Sequence, residues 1–155
     1  MCGISGILNT QQEADVSRVE KMISAIDHRG PDDKKVFRHK QGIFGFTRLS
    51  IIDVDDRSMQ PFVSKCNNYV LVFNGEIYNY IEIKKELKSI GVNFRTSGDA
   101  EVLLNAYIVW GERAFKKING MYAFCITDYK RKKSFLVRDR FGQKPLFYFR
   151  KKGKT

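Results

Sequence analysis

Met1-Cys2-Gly3-Ile4-Ser5-Gly6-Ile7 opens the chain, and the reading of the rest depends on it. Ile4 to Leu8 has the character of a short buried strand, with Cys2 at its start. Removal of Met1 would make Cys2 the N-terminal residue, with a thiol and a free α-amino group on one Cα. An α-amino group titrates at about 7.7–8.0 and a thiol at about 8.5. The two can therefore exchange a proton near neutrality, and an N-terminal amine is a known activator of such nucleophiles. With Met1 attached, the same nitrogen is an amide and cannot act as a base. The bland alternative is a start codon that happens to precede a cysteine, and the remaining chain must decide between the two.

A chain of 155 residues suits one domain with a sizeable core. Its 43% hydrophobic and 13% aromatic content argues for a globular protein over a disordered one. No apolar run approaches the roughly 20 residues of a membrane-spanning helix, and the N-terminus lacks the pattern of a signal peptide. Cys2, Cys66 and Cys125 lie far apart, without metal-ligand or disulfide-framework spacing, which fits a reducing cytoplasm. His28 and His39 complete no metal pattern with them. The net charge of +11 raises nucleic-acid binding as a rival reading. However, the dense runs Lys130-Arg131-Lys132-Lys133 and Arg150-Lys151-Lys152 read as a solvated turn and a tail.

Val16, Val19, Met22, Ile23 and Ile26 recur at helical spacing, with Ser17 or Asp15 as candidate caps, and His28-Arg29-Gly30-Pro31-Asp32 ends that helix. Phe37 to His39 and Ile43 to Thr47 read as strands, and Tyr69 to Phe73 as a strand buried on both faces. A helix from Asn79 or Tyr80 to Gly91 places Ile83, Leu87 and Ile90 on one face. Ser97-Gly98-Asp99 opens another, with Val102, Leu103, Ala106, Tyr107 and Trp110 apolar, ended by Gly111. A shorter helical stretch leads to Asn119-Gly120, and three strands follow at Met121–Asp128, Phe135–Asp139 and Leu146–Phe149. Hairpin-length loops imply antiparallel sheets in a layered domain, not a doubly wound parallel one. No glycine-rich phosphate loop appears.

Asn74-Gly75 after a strand is first of all a hairpin turn. Its functional reading is an oxyanion hole made by the Asn74 side-chain amide and the Gly75 N–H, with glycine allowing close approach. Arg48 is either a surface cation or a planar fork for a carboxylate. Glu76 and Asp99 are either solvated acids (Asp99 also a helix cap) or partners for an ammonium group. Together, one cation and two anions could read a zwitterion.

These segments carry a resemblance. Met1 to Gly6, His28 to Asp32, Arg48-Leu49-Ser50-Ile51-Ile52-Asp53, Gln60-Pro61, Phe73 to Asn79, Ser97 to Glu101 and Arg138 to Leu146 together resemble the glutaminase domain of glutamine-hydrolysing asparagine synthetases. That domain is a class II glutamine amidotransferase of the N-terminal-nucleophile kind. The resemblance runs in order over nearly the whole chain. It implies an α+β fold, a four-layer αββα sandwich with two antiparallel sheets. It also implies Cys2 as nucleophile and Asn74 with Gly75 as oxyanion site. Arg48 would hold the α-carboxylate of glutamine, Glu76 and Asp99 its α-ammonium, and backbone groups around Leu49 and Ile52 would complete the pocket. No metal or cofactor is implied for this chain, since ATP and Mg²⁺ belong to a synthetase domain that would receive the ammonia.

Two departures accompany the resemblance. The ATP-binding synthetase domain has no counterpart in residues 1–155, and the family's last strand and helix would lie beyond Thr155. The expectation is a C-terminally incomplete glutaminase domain with glutamine and a synthetase domain or subunit as partners, and no membrane. A homodimer is left open. The rivals are an inactive fold serving as a partner or regulatory subunit, and a basic nucleic-acid-binding module.

Overall fold

The computed structural model describes residues 2–10, 12–49, 59–151 and 154–155. The expectations for Met1, for Ser50 to Asp53 and for Ile52 as a pocket residue fall outside these. Strand β1 is Gly3–Leu8, helix α1 Ala14–Ala25, β2 Asp33–His39 and β3 Gly42–Arg48. Then come β4 Phe62–Val63, β5 Tyr69–Ile77, α2 Tyr80–Ser89, α3 Asp99–Trp110, α4 Ala114–Lys117, β6 Gly120–Asp128 and β7 Lys133–Arg138. One sheet has the order β1-β3-β2 and the other β4-β5-β6-β7, with antiparallel pairing throughout. No helix among the described residues is long and apolar enough to cross a membrane.

The period-two alternation of the strands sorts their side chains into separate layers. Ile7 and Ile43 meet Val19 of α1 on the outer face of the first sheet. Ile4, Leu8 and Phe44 point the other way and pack against Val70, Val72 and Cys125 of the second sheet. Leu71, Phe73, Phe124 and Ile126 face outward again, beneath Leu87 of α2 and Leu103 of α3. The result is the expected four-layer arrangement of α1, three strands, four strands, then α2 and α3.

Several local expectations are corrected. Asn74-Gly75 is not a turn: β5 runs through it without a break, pairing Asn74 with Ala123 and Gly75 with Tyr122. Leu146–Phe149 forms no strand, and Phe147, Tyr148 and Phe149 are exposed. After β7 the backbone N–H groups of Tyr122, Phe141, Gln143 and Lys144 all converge on the Asp139 carboxylate. That knot turns the chain away from the β7 edge. The chain ends against the other sheet, where Thr155 and Leu8 exchange both main-chain hydrogen bonds. Neither Ser17 nor Asp15 caps α1, whose cap position is Glu13 without a side-chain bond. Asp15 instead binds Thr10, Arg18 and Lys154. Met22 and Ile90 lie off their expected buried faces and are exposed. Of the Lys130–Lys133 run, residues 130–132 lie in the β6–β7 turn and Lys133 begins β7, with the Arg131 N–H donating to Asp128.

Candidate functional site

Cys2 immediately precedes β1, one residue before the pairing of Gly3 with Thr47. By alternation it shares the inner, inter-sheet face with Ile4 and Leu8. Its thiol is seated on the chain leaving β3: the Leu49 N–H donates to Sγ at 3.5 Å, and Sγ lies 3.7 Å from the Leu49 carbonyl. The Gly3 N–H donates to Thr47 Oγ1 at 2.9 Å. The Cys2 carbonyl accepts from Arg29 Nε at 3.3 Å. A second guanidinium nitrogen of Arg29 is buried with no partner among the described residues.

The His28–Asp32 segment can press this closely because a Cβ on Gly30 would lie 2.5 Å from the Thr47 carbonyl carbon. The Asp32 N–H then donates to the Arg48 carbonyl. Arg48, at the end of β3, is 7% exposed and shares the inner face with Phe44. Cys2, Arg48 and Leu49 are therefore brought together at one end of the first sheet.

The second group is built by β5 and α3. Asn74 is 5% exposed and lies on the inner face with Val70 and Val72, so it looks toward the sheet that carries Cys2. Gly75 has φ 154°, and a Cβ there would lie 2.2 Å from the Met121 carbonyl oxygen. Only glycine fits, for steric and conformational reasons alike. Glu76 is half-buried. Asp99 opens α3 and accepts the Ile77 N–H at 2.9 Å. Burial raises its carboxyl to about 6, against the pull of the Ile77, Asp99 and Ala100 N–H groups, and the Glu76 carboxylate adds to the rise. Two acids whose charges oppose each other at the edge of a sheet suit a cation between them.

Glu101, in the first turn of α3, accepts the N–H groups of Arg95 and Thr96, which holds the loop leading to Asp99. The other cysteines are poor rivals for Cys2. Burial pushes the Cys125 thiol up to about 11. A hydrogen bond from Ser64 lowers Cys66, but that residue sits exposed at the β4–β5 turn. A cavity of about 300 Å³ beside Cys66 and Leu104 contains none of the predicted site residues.

Sequence reasoning assigned no role to Arg29, Gln60 or Glu101, although all three lie in the segments quoted above. Arg29 and Gln60 act through backbone atoms of residues 27 and 13 positions away, respectively, and no local pattern marks such contacts.

A protein-family model described as a glutamine amidotransferase domain matches residues 1–155. Asparagine synthetase [glutamine-hydrolyzing] 1 of Bacillus subtilis (strain 168) is 42% identical over 96% of this chain and 24% of that protein. A putative asparagine synthetase [glutamine-hydrolyzing] 2 of Methanocaldococcus jannaschii is 36% identical over 96% of this chain and 32% of that protein. The chain thus spans between about a quarter and a third of these relatives. Among solved structures, the glutamine phosphoribosylpyrophosphate amidotransferase of B. subtilis superposes with a TM-score of 0.67 at 20% identity, covering 83% of this chain and 35% of that one. That likeness is one of fold.

Proposed function

Because this chain belongs to the glutamine amidotransferase domain family, we propose that it hydrolyses the side-chain amide of glutamine through Cys2 and yields ammonia to an acceptor bound elsewhere. Removal of Met1 frees the Cys2 α-amino group, which takes the thiol proton as Sγ attacks the amide carbon. The tetrahedral oxyanion is held by the Asn74 side-chain amide and the Gly75 N–H. Collapse of the intermediate breaks the C–N bond, and the α-ammonium returns its proton to the departing ammonia. Water then attacks the γ-glutamyl thioester, releasing glutamate and restoring the thiol. Arg48 pairs with the substrate α-carboxylate, Glu76 and Asp99 with its α-ammonium, and the backbone at Leu49 and Ile52 lines the pocket.

The acceptor we favour is aspartate, activated by ATP and Mg²⁺ in a synthetase domain or subunit, since the named relatives are asparagine synthetases. A cytoplasmic setting suits three free thiols.

The seat of Cys2 carries the reading. Its thiol rests on the Leu49 N–H beside buried Arg48, on the face that looks across to buried Asn74. Cys2→Ala should abolish glutamate release from glutamine, and a variant as active as the wild type would overturn the proposal. Mass spectrometry of active protein should find Met1 absent. Retained Met1 would contradict the role of the α-amino group.

A further inference from the structure

We infer that Gln60 is a positioning residue for the oxyanion site: its side-chain amide stands in for a strand residue beside Phe73 and holds the stretch of β5 that leads into Asn74 and Gly75. The inference rests on the glutaminase reading above and goes beyond it.

The main-chain groups of β5 alternate between two sides. Even-numbered residues bond toward β6, a pattern continued by the Tyr78 N–H, which donates to Asn119 O. Odd-numbered residues point to the other edge. There the Tyr69 N–H donates to Ser64 Oγ, and the Tyr69 carbonyl accepts the Ser64 N–H. Phe73 comes next but one after Leu71, the partner of Phe62. Its N–H donates to Gln60 Oε1 at 2.6 Å, and its carbonyl accepts from Gln60 Nε2 at 3.0 Å. Further along the same edge, the Ile77 N–H is taken by Asp99. The Gly75 N–H lies between these two, on an edge that no strand among the described residues covers.

The register explains why a side chain is used. Val63 faces Val70 and Phe62 faces Leu71, so Gln60 falls opposite Phe73 when the pairing is extended. The Gln60 side chain satisfies both Phe73 groups at arm's length. Gln60 is itself 6% exposed, with its donor and its acceptor both engaged. It thus fixes the peptide preceding Asn74.

The test uses the full chain with Met1 removed and reads two reactions of Cys2. Glutamine hydrolysis builds an oxyanion. Alkylation by iodoacetamide displaces iodide at a saturated carbon and builds none. Gln60→Met should lower kcat for glutamine about 10- to 100-fold, with KM within about twofold and the alkylation rate unchanged. Gln60→Glu reproduces the hydrogen-bond pair only when protonated, so its kcat relative to wild type at the same pH should recover as the medium is acidified. If Gln60→Met does not fold, this pH profile carries the test alone.

Wild-type kcat in Gln60→Met would overturn the inference and leave the glutaminase reading intact. So would equal losses in hydrolysis and alkylation, or a flat Gln60→Glu profile. Absence of glutamate release from the wild type, with Cys2 still alkylated, would remove the glutaminase reading and this inference with it.

Discussion

Asp99 should weaken the empty fold at neutral pH and strengthen it in acid. The residue is 8% exposed, and its carboxyl is raised from an ordinary 3.8 to about 6, chiefly by burial. Above pH 6 it is ionised in both folded and unfolded chains, and the folded state bears the cost of burying the charge. Between about 6 and 3.8 the folded chain holds a proton that the unfolded chain does not, so stability rises as pH falls. Below 3.8 the gain is complete. The displacement corresponds to at most about 3 kcal/mol.

Asp99→Asn removes the charge and keeps an oxygen for the Ile77 N–H, at a loss of about 0.5 kcal/mol for an acid at a helix N-terminus. The variant should therefore be about 1–2 kcal/mol more stable than wild type at pH 8, and level with it or slightly weaker at pH 4. Urea denaturation at the two pH values measures both differences. Glutamine supplies the missing cation, so a proton on Asp99 should compete with it. In the Cys2→Ala background, calorimetry should find glutamine roughly tenfold weaker at pH 5 than at pH 7.5. A less stable Asp99→Asn protein at pH 8, or glutamine affinity independent of pH over that range, would refute the reasoning.

Three further outcomes follow from named contacts. Arg48→Ala should raise the KM for glutamine by roughly 10- to 100-fold, the loss of a charge-assisted bond, while Cys2 remains alkylatable; an unchanged KM removes Arg48 from the pocket. Lys154→Met should lower the thermal midpoint at pH 7, because Lys154, ahead of Thr10 and Arg18, holds Asp15 down to about 2. That contribution is present above pH 3.8 and lost as pH falls toward 2, so the midpoints of variant and wild type, followed by circular dichroism, should converge there. Gly120→Ala would place a Cβ 2.0 Å from the Glu76 carbonyl oxygen. It should destabilise the fold by on the order of 3 kcal/mol, read from urea melts, and wild-type stability would mean that the β5–β6 crossing is looser than its geometry.

The layering was legible because strand alternation and helix spacing are local. Val19 and Ile23 on α1, and Ile83 and Leu87 on α2, are buried where their spacing puts them. The failures lie where a distant segment decides. Leu146 to Phe149 has the composition of a strand, but the Asp139 knot directs the chain toward Leu8 of the other sheet, and composition cannot compete with that. Asp15 has the local look of a helix cap, yet a lysine 139 residues away claims its carboxylate. The site divides in the same way. Residue type made Cys2, Arg48 and Asp99 candidates and the resemblance gave them their expected roles, whereas Arg29, Gln60 and Glu101 bond to main-chain atoms and leave little trace in composition.

Asn74-Gly75 shows how local preference and global packing can use the same residues differently. In isolation the dipeptide favours a turn, since glycine accepts a positive φ without strain. A hairpin there would need a returning strand, but α2 begins at Tyr80 and leaves too few residues for one. The real partner is β6, far along the chain, and it crosses β5 so closely that glycine is required twice. A Cβ on Gly75 would strike the Met121 carbonyl oxygen, and one on Gly120 would strike that of Glu76. The Gly75 N–H itself points to the opposite edge of β5, next to the Phe73 groups that Gln60 engages. One glycine thus meets a packing demand on one side of β5 and offers a hydrogen-bond donor on the other. Any substitution at position 75 should therefore lose stability and glutamine turnover together.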